Sequence, residues 1–156
     1  DHSKETLKLH TATHLLNAAL HEVLGEEVAQ KGSNVNTERL RFDFTWGEKL
    51  TLEQIKKVED IVNEQIEKDL TVSFAEYPLD YALNELKAIG VFGEKYGETV
   101  KVYTMQKENG VPFSVEICGG PHVEHTSELA ENGKKFKIKK EQSSRAGVRR
   151  IKAVLQ

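Results

Sequence analysis

The chain lacks the sequence features that are typical of secreted and membrane proteins. It contains one cysteine, Cys118, among 156 residues, so no disulfide can form within it and a reducing cytoplasm is the expected location. No segment approaches the run of about 20 apolar residues that a bilayer-spanning helix needs. The first residues also lack the apolar stretch of a secretory signal. These absences predict a cytoplasmic protein with no membrane partner.

The composition that remains is that of an ordinary domain. Hydrophobic residues make up 38% of the chain and charged residues 30%, which is enough for a buried core beneath a polar surface. We find no internal repeat and no linker, so residues 1–156 are expected to form one domain. The chain starts at Asp1, which suggests a piece of a longer protein, although processing or renumbering would explain it equally well.

Positive charge is concentrated near the end of the chain. The net charge is only −3, yet residues 134–152 contain a single acid, Glu141. Such asymmetry suggests a polyanionic partner, but a solvated strand pair with outward lysines would give the same pattern. The nine bases of this segment are Lys134, Lys135, Lys137, Lys139, Lys140, Arg145, Arg149, Arg150 and Lys152.

Three segments have helical spacing of apolar residues. The first has Ser3 as a plausible N-cap and Gly25 as a plausible stop. The second is preceded by Thr51 and Gln54, which have the spacing of a capping box. A third, shorter segment is rich in alanine and leucine. The predicted helices are residues 5–24, 51–69 and 79–88.

Other segments alternate between apolar and polar residues, the period of a strand. Asn36-Thr37 is short enough to join the first two as a hairpin, and Asn109-Gly110 is a strong turn pair. Helices and strands do not alternate regularly, so we expect an α+β fold, a two-layer domain with a mainly antiparallel sheet packed with helices. The predicted strands are residues 28–35, 38–45, 72–77, 99–105, 113–117, 136–140 and 148–155.

Four side chains have the spacing of a metal site. His10 and His14 are four residues apart in the first predicted helix, so their imidazoles project from one face. Cys118 and His122 lie in a Cys-Gly-Gly-Pro-His loop directly after strand 113–117, and its glycines let thiolate and imidazole converge. This nitrogen and sulfur set suits Zn²⁺ and not Mg²⁺ or Ca²⁺. We expect the zinc between the first helix and the strand-end loop.

Each half of this set also has an interpretation without metal. A helical histidine pair can be two partly buried or surface residues, and a lone cysteine is usually a small buried hydrophobe. The glycines and proline after Cys118 disfavour a core position, and the two halves together favour a metal. His2, His21 and His125 are interpreted as non-ligands, although His21 lies near the same helix face as His14.

Six short motifs occur in an order that resembles the editing domain of bacterial-type alanyl-tRNA synthetases. The resemblance spans about residues 5–155, and the two metal half-motifs also occur in freestanding editing proteins and in the threonyl-tRNA synthetase editing domain. The motifs are His10-Thr-Ala-Thr-His14-Leu-Leu, Gln30-Lys-Gly-Ser33, Arg39-Leu-Arg-Phe-Asp-Phe44, Phe92-Gly-Glu-Lys-Tyr-Gly97, Cys118-Gly-Gly-Pro-His122 and Gly147-Val-Arg-Arg-Ile151.

The resemblance implies a hydrolase that removes serine or glycine wrongly esterified to tRNA(Ala). Such a second site supplies discrimination that a synthetic pocket cannot achieve alone. It also implies that the four side chains bind the metal and act through it, and that Gln30 binds the substrate, although Gln30 could be a solvent-facing strand residue. One departure concerns Pro121, because the family usually has threonine there, so a hydroxyl and a backbone N–H are missing.

Zinc could activate a water, polarise the ester carbonyl or hold the substrate's amino group, and the sequence does not decide between these roles. Four protein ligands close a structural site, so catalysis would need an open or expandable position. Backbone N–H groups of Gly119 and Gly120 could stabilise a developing oxyanion. The acceptor end of the tRNA would lie on the basic segment, with Arg145, Arg149 and Arg150 as phosphate ligands. The other expected partner is the rest of a parent synthetase.

Three alternatives stay open at this point. The chain could be an RNA-binding module whose zinc is purely structural. It could be a freestanding editing protein and not a fragment of a synthetase. A threonyl-type editing domain fits the metal half-motifs, but it fits the segments 39–44 and 92–97 less well.

Overall fold

The structure is a computed structural model that describes residues 3–91 and 93–156. His2 and the first residue of the 92–97 motif lie outside the described residues. In chain order the elements are α1 (Lys4–Leu24), β1 (Gln30–Val35), β2 (Leu40–Thr45), α2 (Leu52–Glu67), β3 (Thr71–Pro78), α3 (Leu79–Asn84), β4 (Thr99–Gln106), β5 (Ser114–Ile117), a 3₁₀ segment (Thr126–Gly133), β6 (Phe136–Arg145) and β7 (Val148–Leu155).

The strands form two antiparallel sheets packed with helices, so the predicted α+β class is confirmed. One sheet has four strands in the order β1-β2-β7-β6, and the other has three in the order β3-β4-β5. Both predicted hairpins form, with Val35 opposite Leu40 and Met105 opposite Ser114. None of the helices among the described residues is long and apolar enough to cross a bilayer.

Helix α1 lies between the two sheets. It contacts β1 and β2 of the larger sheet and β5 of the smaller one, so its residues are buried around most of the circumference. The predicted ends are confirmed, because the Ser3 side chain accepts a hydrogen bond from the Thr6 N–H and the Gly25 N–H donates to the carbonyl of His21. A helix held on both sides offers a rigid base for its histidines.

Two hydrophobic cores hold these layers together. The larger core lies between α1, α2 and the four-stranded sheet, and Phe42, Phe44 and Phe136 are fully buried in it. The smaller core lies between α3 and the far face of the three-stranded sheet, where Val102 and Ile117 pack with Ala82. The opposite face of the three-stranded sheet is directed towards α1.

Several boundaries differ from the sequence predictions, and one element was not predicted. The first strand begins at Gln30 and not at residue 28. Helix α3 ends at Asn84 and not at residue 88, because Lys87 adopts a positive φ of 57° that turns the chain. Strand β6 continues to Arg145, five residues beyond the prediction, because its polar end pairs with β7. The 3₁₀ segment Thr126–Gly133 had no sequence prediction.

Candidate metal centre

The two halves of the predicted metal site meet between α1 and the loop that follows β5. His10 and His14 lie on adjacent turns of α1. The loop is held by its own backbone, since the Cys118 N–H donates to the carbonyl of Lys101 and the Val72 N–H donates to that of Glu124. The ligand-bearing loop is therefore fixed at both ends to strands of the smaller sheet.

The geometry of the four side chains fits a zinc ion. One donor atom from each of His10, His14, Cys118 and His122 lies within 4.8 Å of the other three. Cys118 Sγ is 3.7 Å from His10 Nε2 and 3.5 Å from His122 Nε2. A tetrahedral site with ordinary Zn–S and Zn–N bonds places sulfur and nitrogen about 3.6 Å apart. These two sulfur–nitrogen distances therefore match those between zinc ligands.

Two histidines are oriented by hydrogen bonds at Nδ1. His10 Nδ1 donates to the carbonyl of Pro121 at 2.9 Å. His122 Nδ1 is 3.0 Å from the Thr11 hydroxyl, whose own proton is donated to the carbonyl of Leu7. That hydroxyl must therefore accept from His122, so both imidazoles carry their proton on Nδ1 and leave the Nε2 lone pair for a metal.

The third histidine lies beside a buried carboxyl group. His14 Nδ1 lies 3.2 Å from Glu116 Oε2, and Glu116 Oε1 accepts a hydrogen bond of 2.9 Å from the Asn17 amide. Glu116 is 6% exposed and Asn17 1%, so this pair is shielded from water. A carboxylate behind a ligating histidine fixes the ring and raises its basicity as a ligand.

Burial sets the protonation of these groups. Desolvation, with His10 as a charged neighbour, lowers the pKa of His14 to about 3, and desolvation lowers that of His122 to about 2. The pKa of His10 is also lowered by burial. Neutral imidazoles at pH 7 are the form that binds metal. Burial raises the pKa of Glu116 to about 8, although the hydrogen bond from Asn17 acts in the opposite direction. A metal cation bound by His14 would favour the ionised form of Glu116.

The backbone of this loop favours glycine at position 120. Its φ is +73°, and a Cβ there would overlap the Tyr103 hydroxyl. Its N–H donates to Cys118 Sγ at 3.3 Å, so this amide is directed at the thiol in the structure. Pro121 supplies the carbonyl that orients His10, and this contact does not need the missing hydroxyl or N–H.

A cavity of about 500 Å³ opens above the candidate ligands. His10, His14 and Cys118 form part of its wall, and so does Gly119. Gln30 lines the cavity from β1, where its side-chain amide donates to the Ser33 hydroxyl at 3.1 Å. Of the three residues predicted to contact the substrate, Gln30 and Gly119 line the same cavity as the candidate metal ligands, and Gly120 does not.

Sequence reasoning missed Glu116, Asn17 and Thr11. A glutamate in a short alternating strand is more often at the surface, and helical asparagine and threonine carry no metal signal of their own. One signal was available: Glu116 is two residues before Cys118, so strand alternation places both side chains on one face of β5. A carboxyl group on the face that leads into a metal loop was therefore foreseeable.

The predicted RNA-binding arginines differ from one another. Arg149 donates two hydrogen bonds to Glu141, at 2.6 and 3.0 Å. Arg150 does the same with the buried Asp43, at 2.8 and 3.0 Å. Arg145 is exposed, and its side chain forms no ion pair within the described part of the chain. The five lysines of residues 134–140 are exposed as well.

The remaining histidines lie outside the cluster. His21 is buried, with Nδ1 3.6 Å from the exposed Glu26. His125 is half-exposed, with Nδ1 3.8 Å from Asp69. Among the described residues, neither belongs to the four side chains that could share an ion.

The sequence is similar to those of known tRNA ligases. Residues 100–152 match the family model described as the threonyl and alanyl tRNA synthetase second additional domain. The chain is 55% identical over 155 residues to an alanine–tRNA ligase of Borreliella burgdorferi, covering 99% of the chain and 24% of the ligase. A Treponema denticola alanine–tRNA ligase is 53% identical over 156 residues, which is 100% of the chain and 24% of that ligase.

The chain belongs to the editing-related domains of alanine–tRNA ligases. A more distant ligase, from Pseudomonas syringae pv. syringae, is 48% identical over 155 residues, with 99% of the chain and 17% of the ligase covered. The domain thus spans about a quarter or less of the length of these relatives. The resemblance expected from the sequence motifs is confirmed.

We expect replacement of Glu116 by alanine to weaken zinc binding by about 10- to 100-fold, because His14 loses the group that orients it. Glu116→Gln should lose less, since its amide oxygen still accepts from an N–H. Affinity is measured by competition with a coloured zinc chelator. Glu108→Ala is the control, because Glu108 is exposed in the turn between β4 and β5. Equal affinities for all four proteins would show that Glu116 has no part in holding the metal.

Proposed function

We propose that this domain hydrolyses the ester bond of tRNA(Ala) mischarged with serine or glycine, with Zn²⁺ bound by His10, His14, Cys118 and His122. The same proposal places the domain inside a longer alanine–tRNA ligase, whose other domains and tRNA are its partners. A freestanding editing protein is the alternative arrangement. The chemistry at the cavity would be the same in both.

One observation carries this proposal. Three nitrogen donors and one sulfur donor converge beneath a cavity of about 500 Å³, in a domain whose relatives are alanine–tRNA ligases. A buried structural zinc does not require such an opening. A cavity of this size holds an amino acid with part of a nucleoside, the two sides of the ester to be cleaved.

Bound zinc would supply a Lewis acid for the ester carbonyl or for an attacking water. The protein's own residues hold the ligands in place: Thr11 and the Pro121 carbonyl orient His122 and His10, and Glu116 lies behind His14. Gln30 faces the cavity, where its amide can bind a polar group of the amino acid. Gly119 lines the cavity, which supports its N–H as the oxyanion donor, whereas the N–H of Gly120 would first have to leave the thiol.

A second candidate is an RNA-binding module with a purely structural zinc. It is favoured by the full set of four protein ligands, which is typical of closed structural sites. Under this alternative the cavity would bind the end of an RNA without cleaving the ester. The two candidates differ in the fate of the amino acid.

A deacylation assay separates these candidates. We expect the domain to release serine from Ser-tRNA(Ala) and to leave Ala-tRNA(Ala) intact, and we expect a chelator or His10→Ala to abolish this release together with zinc binding. Released radiolabelled serine and bound zinc are measured on the same samples. His125→Ala is the matched control, since it removes a histidine outside the cluster. Serine release by metal-free protein would refute the zinc-dependent mechanism, and no release by zinc-loaded protein would favour the structural alternative.

We also propose that the acceptor end of the tRNA contacts the basic strand pair β6–β7 through its phosphates. Five exposed lysines and the exposed Arg145 support this. The guanidinium groups of Arg149 and Arg150 already donate to Glu141 and Asp43. They would therefore bind phosphate only through N–H groups that do not donate to these carboxylates. Arg145 is therefore the arginine best placed for an independent phosphate contact.

Binding to uncharged tRNA(Ala) should weaken as salt increases, because phosphate contacts release counterions. We expect Arg145→Ala to reduce the slope of log affinity against log salt by about one. The measurement is fluorescence anisotropy at several salt concentrations. Lys56→Ala is the control, because Lys56 is an exposed base of α2 paired with Asp60. A slope that is unchanged in Arg145→Ala would remove Arg145 from the interface.

A further inference from the structure

Phe74 is an aromatic side chain that the fold leaves uncovered. It lies in the middle of β3 and is 56% exposed, although the phenylalanines of the larger sheet are fully buried. Strand β3 is an edge strand of its three-stranded sheet and pairs with β4. Its first residues also bond to the segment at Glu124 and His125, and Phe74 lies beyond them. An exposed phenyl ring in an edge strand is a hydrophobic surface that a ligand can cover.

The exposed ring is on the face of the sheet that carries the metal site. Phe74 is opposite Tyr103 in the β3–β4 pair, and Tyr103 is opposite Glu116 in the β4–β5 pair. Directly opposed residues share one face of a sheet. Glu116 contacts His14, so Phe74 is directed to the same side as the candidate metal ligands.

Ring contacts connect Phe74 to the metal centre. The Phe74 and Tyr103 ring centroids are 5.2 Å apart, and those of Tyr103 and His122 are 4.4 Å apart. The Phe74 ring is therefore less than 10 Å from the ring of a candidate zinc ligand. Tyr103 itself is buried under the loop that holds Gly120, so the exposed surface begins at Phe74.

Lys101 joins this surface to the cavity. Its Nζ lies 4.2 Å from the centroid of the Phe74 ring, and its side chain also lines the cavity. Lys101 is opposite Glu76 in the sheet, but no ion pair of Lys101 is present among residues 3–91 and 93–156. Its charge is therefore available for an anion beside the ring.

We propose that Phe74 and Lys101 bind the 3′-terminal nucleotide of the acylated RNA, with the base stacked on Phe74 and a phosphate beside Lys101. This inference rests on the proposed ester hydrolysis. The ribose that carries the ester also carries the base, so a metal-bound ester brings that base to within a nucleoside's length of the metal. Phe74 lies at such a distance, and Lys101 matches the charge of the adjoining phosphate.

The position of the ring favours a nucleobase over a protein partner. Every base offers a flat π-face that stacks on an aromatic side chain, and a neighbouring cation strengthens the contact. A protein–protein contact would need a wider apolar patch than a single ring. Among the large hydrophobic side chains that the structure describes, the other exposed aromatic is Tyr81. It is on α3 at the opposite face of the sheet, away from the metal centre.

The test is a cycle of two proteins and two RNAs. The probe is a fluorescent hairpin with the tRNA(Ala) acceptor stem, ending either in adenosine or in an abasic ribose, and affinity is read by anisotropy. We expect Phe74→Ala to weaken binding of the adenosine-ended hairpin by about 5- to 100-fold and that of the abasic hairpin by less than about twofold. The same loss with both hairpins, or a loss with neither, would overturn the proposal.

Three further variants complete the design. Phe74→Trp should keep the preference for the terminal base, because it retains a stacking surface, and Tyr81→Ala should leave both affinities unchanged. Lys101→Gln should weaken both hairpins, since a phosphate contact does not depend on the base. The adenosine-ended hairpin should lose at least as much, because the cation beside Phe74 also strengthens stacking. The hairpins carry no amino acid, so this binding test does not depend on ester hydrolysis. Base-dependent binding here, combined with no serine release in the deacylation assay, would refute the proposed deacylase activity and keep Phe74 as a base-binding residue.

Discussion

Three imidazoles and one thiol can share a metal only if each ring directs an unprotonated nitrogen inwards. In this domain the opposite nitrogen of each ring faces a fixed oxygen: the carbonyl of Pro121 for His10, the hydroxyl of Thr11 for His122 and the carboxyl group of Glu116 for His14. These oxygens come from the helix, the loop and the strand that meet at the site. The packing of α1 between the two sheets therefore determines the orientation of the ligands, and any loss of that packing would disperse them.

This dependence explains why the candidate ligands could be predicted from the sequence, whereas the residues that orient them could not. His10 and His14 follow helical spacing, and Cys118 and His122 are joined by a loop rich in glycine, so each pair is brought together by local structure. Glu116 and Asn17 are 99 residues apart in the chain, and their contact exists only after α1 packs against β5. The role of the Pro121 carbonyl had no local signal either, because any residue has a carbonyl and only its position matters.

The fold shows the same division between local and tertiary signals. Caps at Ser3 and Thr51 were predictable because they depend on residues three apart, and the alternating strands were found where one face is buried. Strand β6 was predicted too short because its last residues are polar on both faces, and only pairing with β7 makes them a strand.

The 3₁₀ segment is held by contacts that the sequence does not display, such as the Thr126 hydroxyl donating to the carbonyl of Gln65. The exposed Phe74 was also beyond prediction, because alternation alone cannot tell a covered face from an open one.

The proposed function depends on zinc held by three imidazole nitrogens and one thiolate. X-ray absorption at the zinc edge of the zinc-loaded domain tests this most directly, because it counts sulfur and nitrogen neighbours and measures their distances. We predict one sulfur at about 2.3 Å and three nitrogens at about 2.0–2.1 Å, with the sulfur lost in Cys118→Ser. A first shell without sulfur, or one composed of oxygen atoms, would contradict it.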